Sequence, residues 1–238
     1  MQKRDYFISV AMATYNGEKY IKEQISSILK NLLKDDELII SDDGSTDKTI
    51  SIINSFQDDR IKILNGPQKG VKQNFANALK HTKGSIIFLS VQDDIWLDNK
   101  ISKVLEVFDK TNCSCVVHDC VVVNDDLNKI LYNSFFQHRK SSCGIIRNIY
   151  KNRYLGCCMA FNLNMKEKIL PIPQNIEMHD QWIGLLCEKY GKSIFLKEVL
   201  IKYRRHNNNV SQMKHYPLSK MLKNRYFLIK EFLKRIKK

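Results

Sequence analysis

Short apolar runs alternate with stretches whose apolar residues recur every three or four positions, and this alternation organises the first half of the chain. Phe7-Ile8-Ser9-Val10-Ala11-Met12 predicts a buried first strand that closes at Thr14-Tyr15-Asn16-Gly17. Tyr20, Ile21, Ile25, Ile28, Leu29 and Leu32 then share one helical face. Glu37-Leu38-Ile39-Ile40 predicts a second strand ending in Ser41-Asp42-Asp43-Gly44-Ser45. Thr46 or Asp47 caps a helix carrying Ile50, Ile53 and Phe56. Ile61 to Leu64 is a third strand, Val71 to His81 a third helix, and Ser85 to Leu89 a fourth strand. Strands and helices alternating at such short intervals imply a parallel sheet covered on both faces.

The second half is less regular. A helix through Leu105 and Phe108 leads to a strand over Val116 to Val123. Leu131 to Arg147 has no clean period and reads as a mobile loop. Met178-His179-Asp180-Gln181-Trp182 opens a helix to Tyr190, stopped by Gly191, and Ser193 to Tyr203 reads as a late strand. With no internal repeat or low-complexity linker, one continuous domain over 1–212 is expected, its halves meeting near residue 110 and a helical appendage following at 213–238.

Composition narrows the class. A chain of 238 residues with 43% hydrophobic and 10% aromatic content is globular, and no apolar run approaches the roughly 20 residues that span a bilayer. The start, Met1-Gln2-Lys3-Arg4-Asp5, runs straight into a strand, so no signal peptide is expected. Seven cysteines, odd in number and mostly in apolar stretches, suit reduced thiols in the cytoplasm. Cys113-Ser-Cys115 with Cys120 lacks a second ligand pair at zinc spacing. The net charge of +14 calls for an anionic partner. It concentrates in the tail, where Lys220, Lys223, Arg225, Lys230, Lys234, Arg235, Lys237 and Lys238 face a single acid, Glu231, among apolar residues at helical spacing. Two compatible readings follow: a helix docked on its own domain, or one that touches an anionic membrane surface.

The candidate chemistry lies at strand ends. Thr14-Tyr15-Asn16, Asp42-Asp43 and Gln92-Asp93-Asp94 close the first, second and fourth strands, and parallel strands bring such ends to one edge, where open α/β sheets bind ligands. Tyr15 can stack on a base, Asp42 or Asp43 can accept from a pyrimidine N–H, and adjacent carboxylates suit Mg²⁺ or Mn²⁺ bridging two phosphates. Neither a G-x-G-x-x-G nor a P-loop signature is present.

These segments, with Asn74-Phe75 and Ile95-Trp96, closely resemble family 2 glycosyltransferases of the GT-A fold over roughly residues 6–212. The resemblance is nearest to the bacterial rhamnosyltransferase-like branch that builds capsule and O-antigen. It implies an α/β, Rossmann-like, mostly parallel sheet flanked by helices. It also implies inverting transfer from a UDP- or dTDP-linked sugar to a glycan or lipid-linked glycan, in the cytoplasm or peripherally at the inner membrane face. Thr14, Tyr15, Asn16, Asp42, Asp43, Asn74, Gln92 and Asp93 are then donor-nucleotide residues, and Asp180 is the base. Asp93, Asp94 and His206 are candidates for the metal, Mn²⁺ or Mg²⁺, and Arg204 and Arg205 for the diphosphate, in the closing segment Tyr203 to Ser211. Trp96, Asp119, Gly156, Cys157 and Trp182 fall on the acceptor or sugar side. One position departs from the pattern. Val91 stands where relatives carry the first acid of an Asp-x-Asp pair, which leaves Asp93 as the acid for the metal.

Read from the residues alone, other roles stay open. Asp180 suits a helix N-cap, His206 a polar turn, and either Trp a packed core. A nucleotidyltransferase would be expected to carry a glycine-rich, Arg/Lys-bearing loop after the first strand, which Thr14-Tyr15-Asn16-Gly17-Glu18 is not. A catalytically impaired nucleotide-sugar binder is compatible with Val91. Nucleic acid is not the expected partner, because the basic residues cluster in the tail without an aromatic platform.

Overall fold

The computed structural model describes residues 4–207, 209 and 216–237. Asn208, Val210 and Ser211 of the closing segment, and Lys238 of the basic tail, lie outside the described residues. The first half follows the apolar pattern closely. β1 (Ile8–Thr14), α1 (Ile21–Leu29), β2 (Glu37–Asp42), α2 (Thr49–Asn54), β3 (Ile61–Asn65), α3 (Val71–His81) and β4 (Ile86–Ser90) come in that order. Every residue of β1, β2 and β4 is buried, as strands covered on both faces must be, whereas β3 at the sheet edge is partly exposed.

β5 (Ile95–Trp96), α4 (Lys100–Lys110), β6 (Cys115–Asn124), β7 (Ile130–Tyr132), α5 (Phe135–Arg139) and α6 (Ile145–Tyr150) follow. A 3₁₀ turn at Gly156–Cys158, β8 (Met159–Asn162), α7 (Met165–Ile169), α8 (His179–Tyr190), β9 (Ser193–Arg205) and α9 (Leu218–Ile236) complete the described chain.

The expected, mostly parallel sheet is present and is mixed in detail: its order is β3-β2-β1-β4-β8-β6-β9-β5, with β7 on β6, and β8 runs antiparallel to both β4 and β6. β8 was hidden because Met159-Ala160-Phe161-Asn162 is too short to show a period of its own. The segment 131–147 is not an unstructured loop but holds part of β7, α5 and the start of α6. Asp119 organises it: its carboxylate accepts from the Phe136 N–H at 2.9 Å and from the Ser134 hydroxyl, while Ser134 caps α5. Helices this short gain their stability from tertiary contacts, which leave no local periodicity to read.

The topology matters most at β9. It crosses the molecule parallel to β6 and meets β5 in antiparallel register, Ile95 opposite Lys202 and Trp96 opposite Ile201. The residues after β9 are thereby returned to the end of β4. All seven cysteines are free thiols, and only Cys143 is exposed.

Candidate active site

At the C-terminal ends of β1, β2 and β4 the expected donor-side residues come together, joined by their own hydrogen bonds. The Gln92 amide clamps the loop after β1. Its oxygen accepts from the Thr14 hydroxyl at 2.5 Å and the Tyr15 N–H at 2.8 Å, and its nitrogen donates to the Tyr15 carbonyl at 3.0 Å. A Cβ on Gly17 would fall 2.6 Å from that amide, so any larger residue there would push the Gln92 clamp aside. Asn16 adopts a left-handed φ of 47°, which asparagine tolerates, and its side chain accepts from the Thr46 N–H. Asn74, in the first turn of α3, donates to the carbonyls of Thr14 and Ser41, and its buried amide oxygen has no hydrogen-bond partner among the described residues. Asp42 accepts from the N–H groups of Gly44 and Ser45, and Asp43 from those of Gln68 and Gly70. Tyr15 is exposed at this rim, its ring available to stack.

A second group forms where the turn after β4 meets the end of β9. The Asp93 carboxylate lies 2.8 Å from His206 Nε2 and accepts from the Asn209 amide at 3.1 Å. Tyr20 stacks on the His206 ring with centroids 4.6 Å apart. The donor types, one hard carboxylate and one imidazole, are ones that could hold a divalent cation only with further ligands supplied from outside the protein. No group of three or more His, Cys, Asp or Glu side chains able to hold a metal unaided occurs among the described residues. Asp94 faces elsewhere. One oxygen accepts the Arg204 N–H at 3.0 Å, and the other is buried with no hydrogen-bond partner among the described residues. Burial and the neighbouring Asp93 push its pKa well up. Burial also lowers Lys100 to about 8, with its ammonium 2.9 Å from the Cys157 carbonyl and over the Trp96 ring.

Arg204 is buried and holds the corner shut. Its guanidinium donates to the carbonyls of Asp93 and Asp125 and to Glu23 Oε2 at 2.5 Å, and lies over the Tyr20 ring. Arg205, on the other face of β9, packs over Tyr203. Tyr20, Glu23 and Asp125 were not marked as site residues by sequence. Tyr20 counted only as part of an apolar helix face, and partners more than 100 positions apart leave no local signal.

The third group is at the start of α8. Asp180 is buried, and burial pushes its carboxyl up to about 6 despite hydrogen bonds from Asn152 at 2.9 Å and from the Gln181 N–H at 2.6 Å. The Gly156 N–H also steadies its charged form. His179 stacks on Phe75 with centroids 4.1 Å apart, and burial lowers it to about 3, so it is neutral. A Cβ on Gly156 would lie 2.7 Å from His179 Nε2. The 3₁₀ turn therefore fits against α8 only with glycine at this position. Neither Asn152 nor Gly156 sits in a pattern that names it as support for a carboxylate.

The other acceptor-side candidates are placed in the interior. Trp96 is buried against Phe88 and Lys100, and Trp182 is buried with its indole N–H donating to the Ile169 carbonyl. Cys157 is buried beside Lys100, and Asp119 is engaged with Ser134 and Phe136.

An α/β sheet of this order, with acidic strand ends gathered on one edge, is the GT-A architecture. The chain belongs to glycosyl transferase family 2, whose model matches residues 9–170. Among its relatives is the Escherichia coli UDP-Glc:alpha-D-GlcNAc-diphosphoundecaprenol beta-1,3-glucosyltransferase WfgD, 28% identical over 235 residues, covering 96% of this chain and 87% of WfgD. The dTDP-rhamnosyl transferase RfbG of Shigella flexneri is 29% identical over 216 residues, covering 83% of this chain and 72% of RfbG. Among solved structures, S. aureus TarS 1-349 in complex with UDP-GlcNAc superposes with a TM-score of 0.75 at 19% identity, covering 95% of this chain and 66% of that one. At this identity the likeness speaks to the fold.

Proposed function

We propose that this family 2 glycosyltransferase moves a sugar from a UDP- or dTDP-linked donor to a hydroxyl of a lipid-linked glycan, with inversion, in the synthesis of a bacterial surface polysaccharide. The observation that carries the reading is Asp180. It is a buried carboxyl tuned to about 6, supported by Asn152 and the Gln181 N–H at a helix start. A base poised near neutral pH is ionised in the cell yet still basic enough to take a hydroxyl proton as attack proceeds. Neutral His179 beside it adds no positive charge that would drain that basicity.

In this reading the rim of Thr14, Tyr15, Asn16, Asp42, Asp43 and Asn74 seats the nucleotide, with Gln92 holding the loop in place. The acceptor oxygen attacks the anomeric carbon, the carbon–diphosphate bond breaks on the opposite side, and Asp180 takes the proton. Asp93 and His206 would hold a divalent cation, which when bound supplies positive charge toward the leaving diphosphate. The relatives WfgD and RfbG support a UDP-glucose or dTDP-rhamnose donor, and WfgD a diphosphoundecaprenol-linked acceptor.

The test is release of nucleoside diphosphate from UDP-glucose, UDP-GlcNAc and dTDP-rhamnose, with a diphospholipid-linked GlcNAc as acceptor. Acceptor-dependent release from one donor is the expected result. Tight donor binding with no release from any of them would favour the impaired binder suggested by Val91.

A further inference from the structure

The helix α9 carries two apolar stripes. One is its seam with the domain. Leu228 and Phe232 are buried, and Arg235 lies over the Trp182 ring while donating to the carbonyls of Lys168, Leu170 and Pro171. Asn224 donates to Glu177 and Asn175 to Glu231, closing the seam at both flanks. The second stripe faces outward. At 3.6 residues per turn Leu218, Leu222, Tyr226, Ile229 and Leu233 fall within a sector of about 80°. They are between 39% and 69% exposed. The neighbouring α6 extends this surface, since Arg225 donates to the Tyr150 carbonyl at 2.9 Å and lies over its ring, which is 72% exposed. Ile146, one turn earlier, is 84% exposed. Single exposed apolar residues are ordinary, but seven large ones on two adjoining helices mark an interaction surface.

Charge says what covers it. Lys223, Lys230, Lys234 and Lys237 occupy the sector beside the outward stripe and all are exposed. The helix has one acid, Glu231, which is turned away from that sector and held by Asn175. A second copy would set the same lysine row against itself. A leucine, isoleucine and tyrosine stripe bordered by lysines fits the plane where acyl chains meet anionic headgroups.

We infer that the outward face of α9, with Tyr150 and Ile146 of α6, is a docking surface for an anionic lipid bilayer, and that it sets the acceptor side of the active site against the membrane. Two residues beyond Tyr150, Asn152 holds Asp180, and the Gln181 amide donates to the Asn148 carbonyl within α6. The docking face and the candidate base thus share one short structural unit. The inference deepens the lipid-linked acceptor reading, but its test contains neither donor nor acceptor, so the two fail separately.

The full chain is mixed with vesicles of phosphatidylcholine alone or with 30% phosphatidylglycerol and separated by flotation. Binding to the anionic vesicles and little to the neutral ones is expected, because each lysine near such a surface contributes about a five-fold gain. The double variant L222E/I229E should lose at least ten-fold in vesicle affinity while keeping its melting temperature, since both side chains are exposed. Y226W should shift its emission to the blue on anionic vesicles. Equal binding to neutral vesicles, or parent-level binding by L222E/I229E, would overturn the proposal. So would a concentration-dependent dimer that L222E/I229E abolishes in a chain that does not float, which would assign the face to a second copy.

Discussion

A carboxyl that is to act as a base must be destabilised as an anion yet held in place, and Asp180 meets both conditions at a measurable cost. Its pKa rises from 3.8 to about 6 on folding. Between those values the folded chain retains a proton that the unfolded chain has lost, so stability falls as pH rises through that window. Asp180→Asn removes this titration. Its stability relative to the parent should grow by up to about 3 kcal/mol between pH 4 and 7, measured by denaturant unfolding at each pH. A carboxylate whose pKa folding lowers would give the opposite slope. The parent kcat/KM should fall below about pH 6 as Asp180 takes up its proton. At the other corner Asp93 and His206 are one unit, 2.8 Å apart. Asp93→Ala and His206→Ala should each weaken Mn²⁺-dependent binding of nucleoside diphosphate, and the double variant should be little worse than either. That corresponds to a coupling of about 1–3 kcal/mol, read by calorimetry with and without Mn²⁺. Additive losses would mean that the two residues act apart.

At the scale of elements, Gly156 links the 3₁₀ turn to the start of α8. With a Cβ only 2.7 Å from His179 Nε2, Gly156→Ala must push the turn or the helix aside. Overpacking of this kind costs about 1–3 kcal/mol, a melting shift of about 2–4 °C per kcal/mol for a chain of this size. Transfer should drop by more than that loss of folded protein explains, because the displaced groups hold Asp180. Unchanged activity would detach Gly156 from the site. This element also shows where sequence reading stops. β1, β2 and β4 were legible because each is one buried apolar run between turn residues. The pairing of β8 with β4 and β6, and the short helices around Asp119, depend on contacts between distant segments and carry no period. The strand-end motifs do lie together on one edge of the sheet, but the sequence carries no sign of how their side chains divide the contacts there. Gln92 braces a loop, Asp94 turns inward to the Arg204 N–H, and Trp96 and Trp182 fill the core.

At the scale of the molecule, the site is assembled by topology. β9 pairs with β5 and returns Arg204 and His206 to the turn after β4, 110 or more positions away. Arg204 fastens that closure through Glu23, Asp125 and the Asp93 carbonyl. The donor edge, the Asp93–His206 corner and Asp180 therefore come from three parts of one sheet and its crossovers. The central claim, that this assembly transfers a sugar with Asp180 as the base, is tested most directly by Asp180→Asn. Sugar transfer and donor affinity should be measured on the same preparation. The account predicts transfer reduced by about 10²–10⁴-fold with donor affinity nearly unchanged. Transfer at the parent rate by a fully folded Asp180→Asn protein would contradict it.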